Sequence, residues 1–131
     1  MTGLDSNVLV RYVVQDDLAQ SATATRLIEN FTAADPGFVS MIVVVETVWV
    51  LQSSYKADRP AIGRVLEALL RSRELVVEHA ELVWQALRIF TQTGGDFADC
   101  LIQRSGQAAG CDETVTFDQR ASRTAAMKFL T

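Results

Sequence analysis

The chain has 131 residues, 49% of them apolar and 21% charged, and its 12 basic and 16 acidic side chains give a net charge of −4 at pH 7. That length predicts a single domain, residues 1–131, with a core of useful size, and the acid excess argues against broad electrostatic capture of nucleic acid while leaving room for a local basic rim. No apolar stretch reaches the roughly 18 residues of a membrane helix, Asp5 interrupts any basic-then-apolar leader, and Cys100 and Cys111 have neither metal nor redox spacing, so they read as buried thiols of a reducing, cytoplasmic compartment.

In chain order, residues 1–4 read as a short strand, and Leu9, Tyr12 and Val13 suggest a first helical turn. A helix follows at about Asp17–Phe31, with Ala22, Leu27 and Phe31 as apolar positions. Asp35-Pro36-Gly37 signals a turn, and Phe38-Val39-Ser40 a second strand. Residues 41–51 are rich in β-branched side chains, which suits a strand, but the apolar length continuing to Tyr55 favours a buried helix. Asp58 and Pro60 open a helix through Arg71, with Ile62, Val65, Leu66 and Leu69 on one face. Leu75-Val76-Val77 is a third strand, and Ala80–Thr91 an amphipathic helix that Gly94-Gly95 breaks. Asp96–Ala109 forms the next helix with Gly110 at its end, Thr114–Phe117 a fourth strand and Met127–Leu130 a fifth. Strands alternating with helices predict a parallel sheet covered on both faces.

Five carboxylates lie among apolar residues. Asp5 follows Leu4, Glu46 interrupts the run from Met41 to Leu51, Asp96 and Asp99 open an apolar helix, and Asp118 ends a strand. Burying a carboxylate is costly unless it is paired or bound to a cation, and no Lys or Arg lies close in sequence to Glu46 or Asp99. In a parallel sheet, ligands bind at the carboxyl ends of the strands, which is where Asp5, Ser40 and Asp118 fall. Asp96 and Asp99, three apart at a helix start, present both side chains to one place. Glu46 lies about two helical turns beyond Ser40. Simpler roles exist for four of the five: Asp96 and Asp99 as an N-cap with an acid in the first turn, Asp118 as a turn former, and Asp5 as a cap for a helix near Asn7. Neither a cap nor a turn accounts for Glu46.

An all-carboxylate set selects a hard cation, Mg²⁺ or Mn²⁺, over Zn²⁺. The absences agree. With His79 as its sole histidine, the chain cannot run a two-histidine ribonuclease mechanism; Gly94-Gly95 lacks the Lys and spacing of a phosphate loop; Ser53 and Ser54 have no nearby base.

Leu4-Asp5-Ser6-Asn7-Val8-Leu9-Val10-Arg11-Tyr12, Ser40 with Glu46, Asp96-Phe97-Ala98-Asp99-Cys100-Leu101-Ile102 and Thr116-Phe117-Asp118 together resemble the PIN domain, and more narrowly its VapC-type toxins of prokaryotic toxin–antitoxin pairs. The resemblance spans the whole chain. It implies a three-layer α/β/α fold with a central parallel sheet of about five short strands, and a Mg²⁺-dependent endoribonuclease, with Mn²⁺ as substitute. Asp5, Glu46, Asp99 and Asp118 match the family's four acidic positions, and Asp96 an additional acid of many members. Asn7, Ser40 and Thr116 match its supporting polar positions. Ser6 stands where Thr is more usual and keeps the hydroxyl. The resemblance further implies an RNA substrate, products with 5′-phosphate and 3′-hydroxyl ends, a homodimer and a cognate VapB-like antitoxin. Arg11, Arg104, Arg120 and Arg123 are candidate contacts to the RNA backbone. A two-component receiver domain shares the size and clustered acids but needs a phospho-acceptor Asp after its third strand, where this chain has Glu78-His79. The competing reading is a catalytically silent PIN-like module that binds RNA or protein.

Overall fold

A computed structural model describes all of residues 1–131, which form seven helices and five short parallel-paired strands divided between two compact units, Met1–Ala80 and Glu81–Thr131.

In the first unit, β1 (Thr2–Gly3), α1 (Ser6–Val14), α2 (Leu18–Glu29), β2 (Gly37–Val39), α3 (Met41–Ser54), α4 (Arg59–Arg71) and β3 (Leu75–Val77) follow in order. The strands pair parallel as β1-β2-β3, Thr2 opposite Gly37 and Gly37 opposite Leu75. Gly37 is required there: a Cβ would come within 2.6 Å of the Phe31 ring and 2.9 Å of Leu75. Helix α2 begins at Asp17, whose side chain accepts the Gln20 N–H at 2.9 Å. Helix α4 begins at Asp58, which accepts from Ala61 at 2.9 Å with Pro60 in the first turn, where no N–H is missed. Ile62, Leu66 and Leu69 are the buried stripe of α4, at the helical spacing read from the sequence.

Residues 41–54 are helical despite five valines and an isoleucine. Two acceptors hold the start of α3: Ser40 Oγ takes the Val43 N–H at 3.2 Å, and Glu78 Oε1, arriving from the end of β3, takes the Met41 N–H at 2.9 Å. Each such cap is worth about 1 kcal/mol. Val44, Thr47, Val48 and Leu51 form the buried face, at i, i+3, i+4 and i+7, and burial of three of these apolar side chains at about 1.5–3 kcal/mol each outweighs the small helix-propensity cost of valine. Ile42, Glu46 and Trp49 share the opposite, exposed face.

The second unit contains α5 (Ala80–Thr93, its first residue in the unit before), α6 (Phe97–Ala108), β4 (Val115–Thr116), α7 (Gln119–Thr124) and β5 (Lys128–Phe129). Phe90 of α5 and Phe97 of α6, both essentially inaccessible, meet edge to face with centroids 6.1 Å apart and rings at 80°, a favoured aromatic geometry. Gly110, at φ 99°, follows α6, and the Cys111 N–H returns to Gly106 O at 3.0 Å, a left-handed closure that glycine makes without strain.

The α/β class with parallel strands holds. Three details differ from expectation. The five strands lie in a three-stranded and a two-stranded sheet rather than in one, because each has only two or three residues. Residues 119–124 form a helix the sequence reading lacks. Cys100 is buried, but Cys111, just past the α6 closure, is exposed. No helix is long and apolar enough to cross a membrane.

Candidate functional site

Two of the candidate acids belong to the first unit. Asp5 leaves β1 and caps α1 from an extended conformation (φ −82°, ψ 158°), its Oδ1 accepting the Ser6 N–H at 2.7 Å. Ser6 itself is buried, and its hydroxyl donates to Glu46 Oε1 on α3. The same oxygen lies 3.5 Å from Asp5 Oδ1, a long contact for a hydroxyl with one proton to give. Ser6 is therefore the group that joins the two acids. The sequence reading gave it only a place in a motif; its position at the first turn of a helix leaving a strand end was the available signal. Asn7, expected as a support, hydrogen-bonds neither acid; it lines a cleft of about 620 Å³ between α1 and α2 with Val8, Arg11, Gln20 and Leu27. Ser40 supports Glu46 indirectly, by starting α3.

The other three acids belong to the second unit. Asp96 caps α6 through Oδ2, which accepts the Asp99 N–H at 3.1 Å, and Asp99 stands in the first turn. Asp118 caps α7 through Oδ1, accepting the Ala121 N–H at 3.0 Å, while Thr116 Oγ1 accepts the Asp118 N–H at 3.0 Å, as a supporting residue should. The start of α6 is laced to α7. Arg120 Nη2 donates to Gly94 O at 3.1 Å, and a Cβ on Gly95 would sit 3.1 Å from Thr124 O and 3.2 Å from Cys100 Sγ. That close approach carries Asp118 toward Asp99. The Asp99 carboxyl is pushed above the ordinary aspartate range, first by burial and then by the neighbouring charges of Asp96 and Asp118.

Burial is not what sets these acids apart. Asp5, Glu46, Asp96 and Asp118 are exposed and only Asp99 is half-buried, which corrects the expectation of buried charges. What distinguishes them is that they neighbour one another: Asp5 and Glu46 share Ser6, and Asp96 and Asp118 both act on Asp99. The ion pairs of the chain engage other carboxylates: Asp35 with the N-terminal amine, Asp16 with Arg11, Glu67 with Arg71, Glu113 with Lys128. Each capping acid spends one oxygen on its helix, leaving the other open, and neither oxygen of Asp99 is taken up by a protein donor.

Among the candidate RNA-contacting arginines, Arg11 is committed to Gln20, Asp16 and Tyr55, and Arg120 to Gly94. Arg104 donates to Gln107, and Arg123 is exposed on α7. The Tyr55 hydroxyl raises the pKa of Arg11 and lowers that of Asp16, so this network ties α1, α2 and the end of α3 together. His79 is exposed in a left-handed conformation at φ 49°.

Within neither unit do three His, Cys, Asp or Glu side chains close tightly enough to form a cation cage. The donors nevertheless suit Mg²⁺ chemically. All are carboxylate oxygens, and Mg²⁺ keeps several waters and takes one or two carboxylates directly instead of demanding a full protein cage. The PIN domain family matches residues 4–127. A curated relative, the VapC ribonuclease of Aquifex aeolicus (strain VF5), is 26% identical over 117 residues, which cover 89% of this chain and 87% of that protein.

Proposed function

Because the chain belongs to the PIN domain family, we propose that it is a Mg²⁺-dependent endoribonuclease and the toxin of a VapBC-type pair, acting in the cytoplasm. The single observation that carries the proposal is the grouping of the acids within each unit: Asp5 and Glu46 joined through Ser6, and Asp99 flanked by the charges of Asp96 and Asp118. The name of the Aquifex relative supports the ribonuclease activity.

In this reading Asp5, Glu46, Asp99 and Asp118 are the catalytic acids and, with Asp96, the metal ligands. A bound Mg²⁺ would supply Lewis-acid charge for the phosphate and lower the pKa of a water. Ser6 orients Glu46, and the caps on α1, α6 and α7 fix the acids before substrate arrives. One of these carboxylates would take the attacking water's proton. The reaction leaves a 5′-phosphate and a 3′-hydroxyl.

The test is cleavage of RNA by purified protein with Mg²⁺ and with chelator, the product ends being mapped. Metal-dependent cleavage that Asp99→Asn abolishes bears the reading out. Wild-type protein that binds RNA without cutting it, with Mg²⁺ or Mn²⁺, would leave a silent binding module in its place. For the partners we propose a homodimer and an antitoxin from the adjoining gene. Light scattering should give a mass near two chains, and co-expression should suppress cleavage; a monomer that cuts RNA equally well beside its bound neighbour would refute both.

A further inference from the structure

All but two of the chain's aromatic side chains are buried or half-buried. The exceptions are Trp49, 66% exposed, and Phe117, 79% exposed. Each adjoins a candidate acid. Trp49 lies three residues past Glu46 on the outer face of α3, one turn along, and Phe117 directly precedes Asp118 in the loop that starts α7. One such neighbour would be unremarkable, since single exposed apolar residues are common. Here both exposed rings stand beside candidate acids, one in each unit, which points to the same kind of use for each.

We propose that Trp49 and Phe117 are stacking platforms for unpaired bases of a single-stranded RNA substrate; this rests on the nuclease reading above. Aromatic rings hold splayed-out bases face to face, and they tolerate sequence because every base has a π surface. The chain needs such a contribution. Its net charge is −4, and Arg11 and Arg120 already serve protein groups, so phosphate attraction alone gives weak binding. The alternative occupant, a protein surface, fits α3 poorly. Glu46 lies between Ile42 and Trp49 on one helix face, so a partner sealed onto the indole would cover a carboxylate that substrate must reach. An RNA strand is the occupant that uses both.

The experiment measures binding of a single-stranded RNA oligonucleotide, and of the same strand in a duplex, to Asp99→Asn protein by fluorescence anisotropy. Trp49→Ala and Phe117→Ala, each added to that background, should raise Kd for the single strand by about 5- to 100-fold, as loss of one stacked base does. They should leave duplex binding unchanged, and Trp49→Phe should retain most of the affinity. In catalytically active protein the same alanine variants should act on KM and not on kcat. Unchanged Kd and KM in both variants would overturn the proposal. So would a halved solution mass on Trp49→Ala, which would make the ridge a protein interface. Wild-type protein that fails to cut RNA refutes the nuclease reading, and the Kd comparison still decides whether the rings hold bases.

Discussion

Ser6 Oγ on α1 donates its hydrogen bond to Glu46 Oε1 on α3, joining residues 40 apart in sequence. The donor is buried and the acceptor exposed, so an anchored hydroxyl fixes one oxygen of a surface carboxylate and leaves its second oxygen turned outward. Ser6→Ala should cost about 1 kcal/mol of stability, the usual net value of one hydrogen bond. Letting Glu46 swing should lower kcat by about tenfold, or roughly 1.4 kcal/mol of barrier. Ser6→Thr should keep both. Thermal denaturation and RNA cleavage of the two variants check this; a threonine variant as impaired as the alanine would show that packing, not the hydroxyl, matters at Ser6.

Asp118 caps α7 and lies close enough to Asp99 to raise its pKa, so its two roles separate by substitution. Asparagine caps a helix about as well as aspartate but carries no charge. Asp118→Asn is expected to abolish cleavage while Tm stays equal or rises, since like-charge repulsion on Asp99 is relieved. Asp118→Ala should abolish cleavage too and, losing the cap, cost about 1 kcal/mol of stability. Equal destabilisation by both substitutions would contradict the capping role.

The raised pKa of Asp99 fixes the sign of a pH effect. Between the unfolded and folded pKa values the native state binds more protons, so stability falls as pH rises through that window. Asp99 therefore weakens the fold most once pH exceeds its folded pKa. Asp99→Asn should melt higher than wild type at neutral pH, with the gap closing on acidification below the unfolded value. Melting curves at several pH values test this in metal-free buffer, and a gap that widens toward acid would reverse the assignment.

Calorimetric titration with Mn²⁺ should detect binding to the wild type that Asp5→Asn and Asp99→Asn each weaken at least tenfold. Binding untouched by either substitution would remove the metal role from both.

Most helices were legible because periodic apolar residues and Asp or Pro caps coincide, as at Asp58 with Ile62, Leu66 and Leu69. Helix α7 was not, since its six residues carry no large apolar side chain and bury only Ala121. The signal was Asp118 as a cap, which reads equally well as a turn. The burial expected of the acids rested on a partly mistaken reason. Glu46 sits in an apolar run, yet that run wraps a helix, and Glu46 falls with Ile42 and Trp49 on the face left open. Apolar neighbours in sequence imply burial on a strand's inner face but not around a helix. The tie through Ser6 depends on tertiary packing of α1 on α3, which no local pattern encodes.

Three of the five acids, Asp5, Asp96 and Asp118, double as N-caps, and this shapes what the protein can become. A single-nucleotide change turns an aspartate codon into an asparagine codon, and asparagine still satisfies the helix start. At any of these positions the charge can be shed while the backbone geometry persists. On the nuclease reading proposed above, a lineage under pressure to disarm this chain has an easy route to an inert protein that still folds. The same economy makes alanine scanning misleading here, because it confounds a lost helix start with a lost charge.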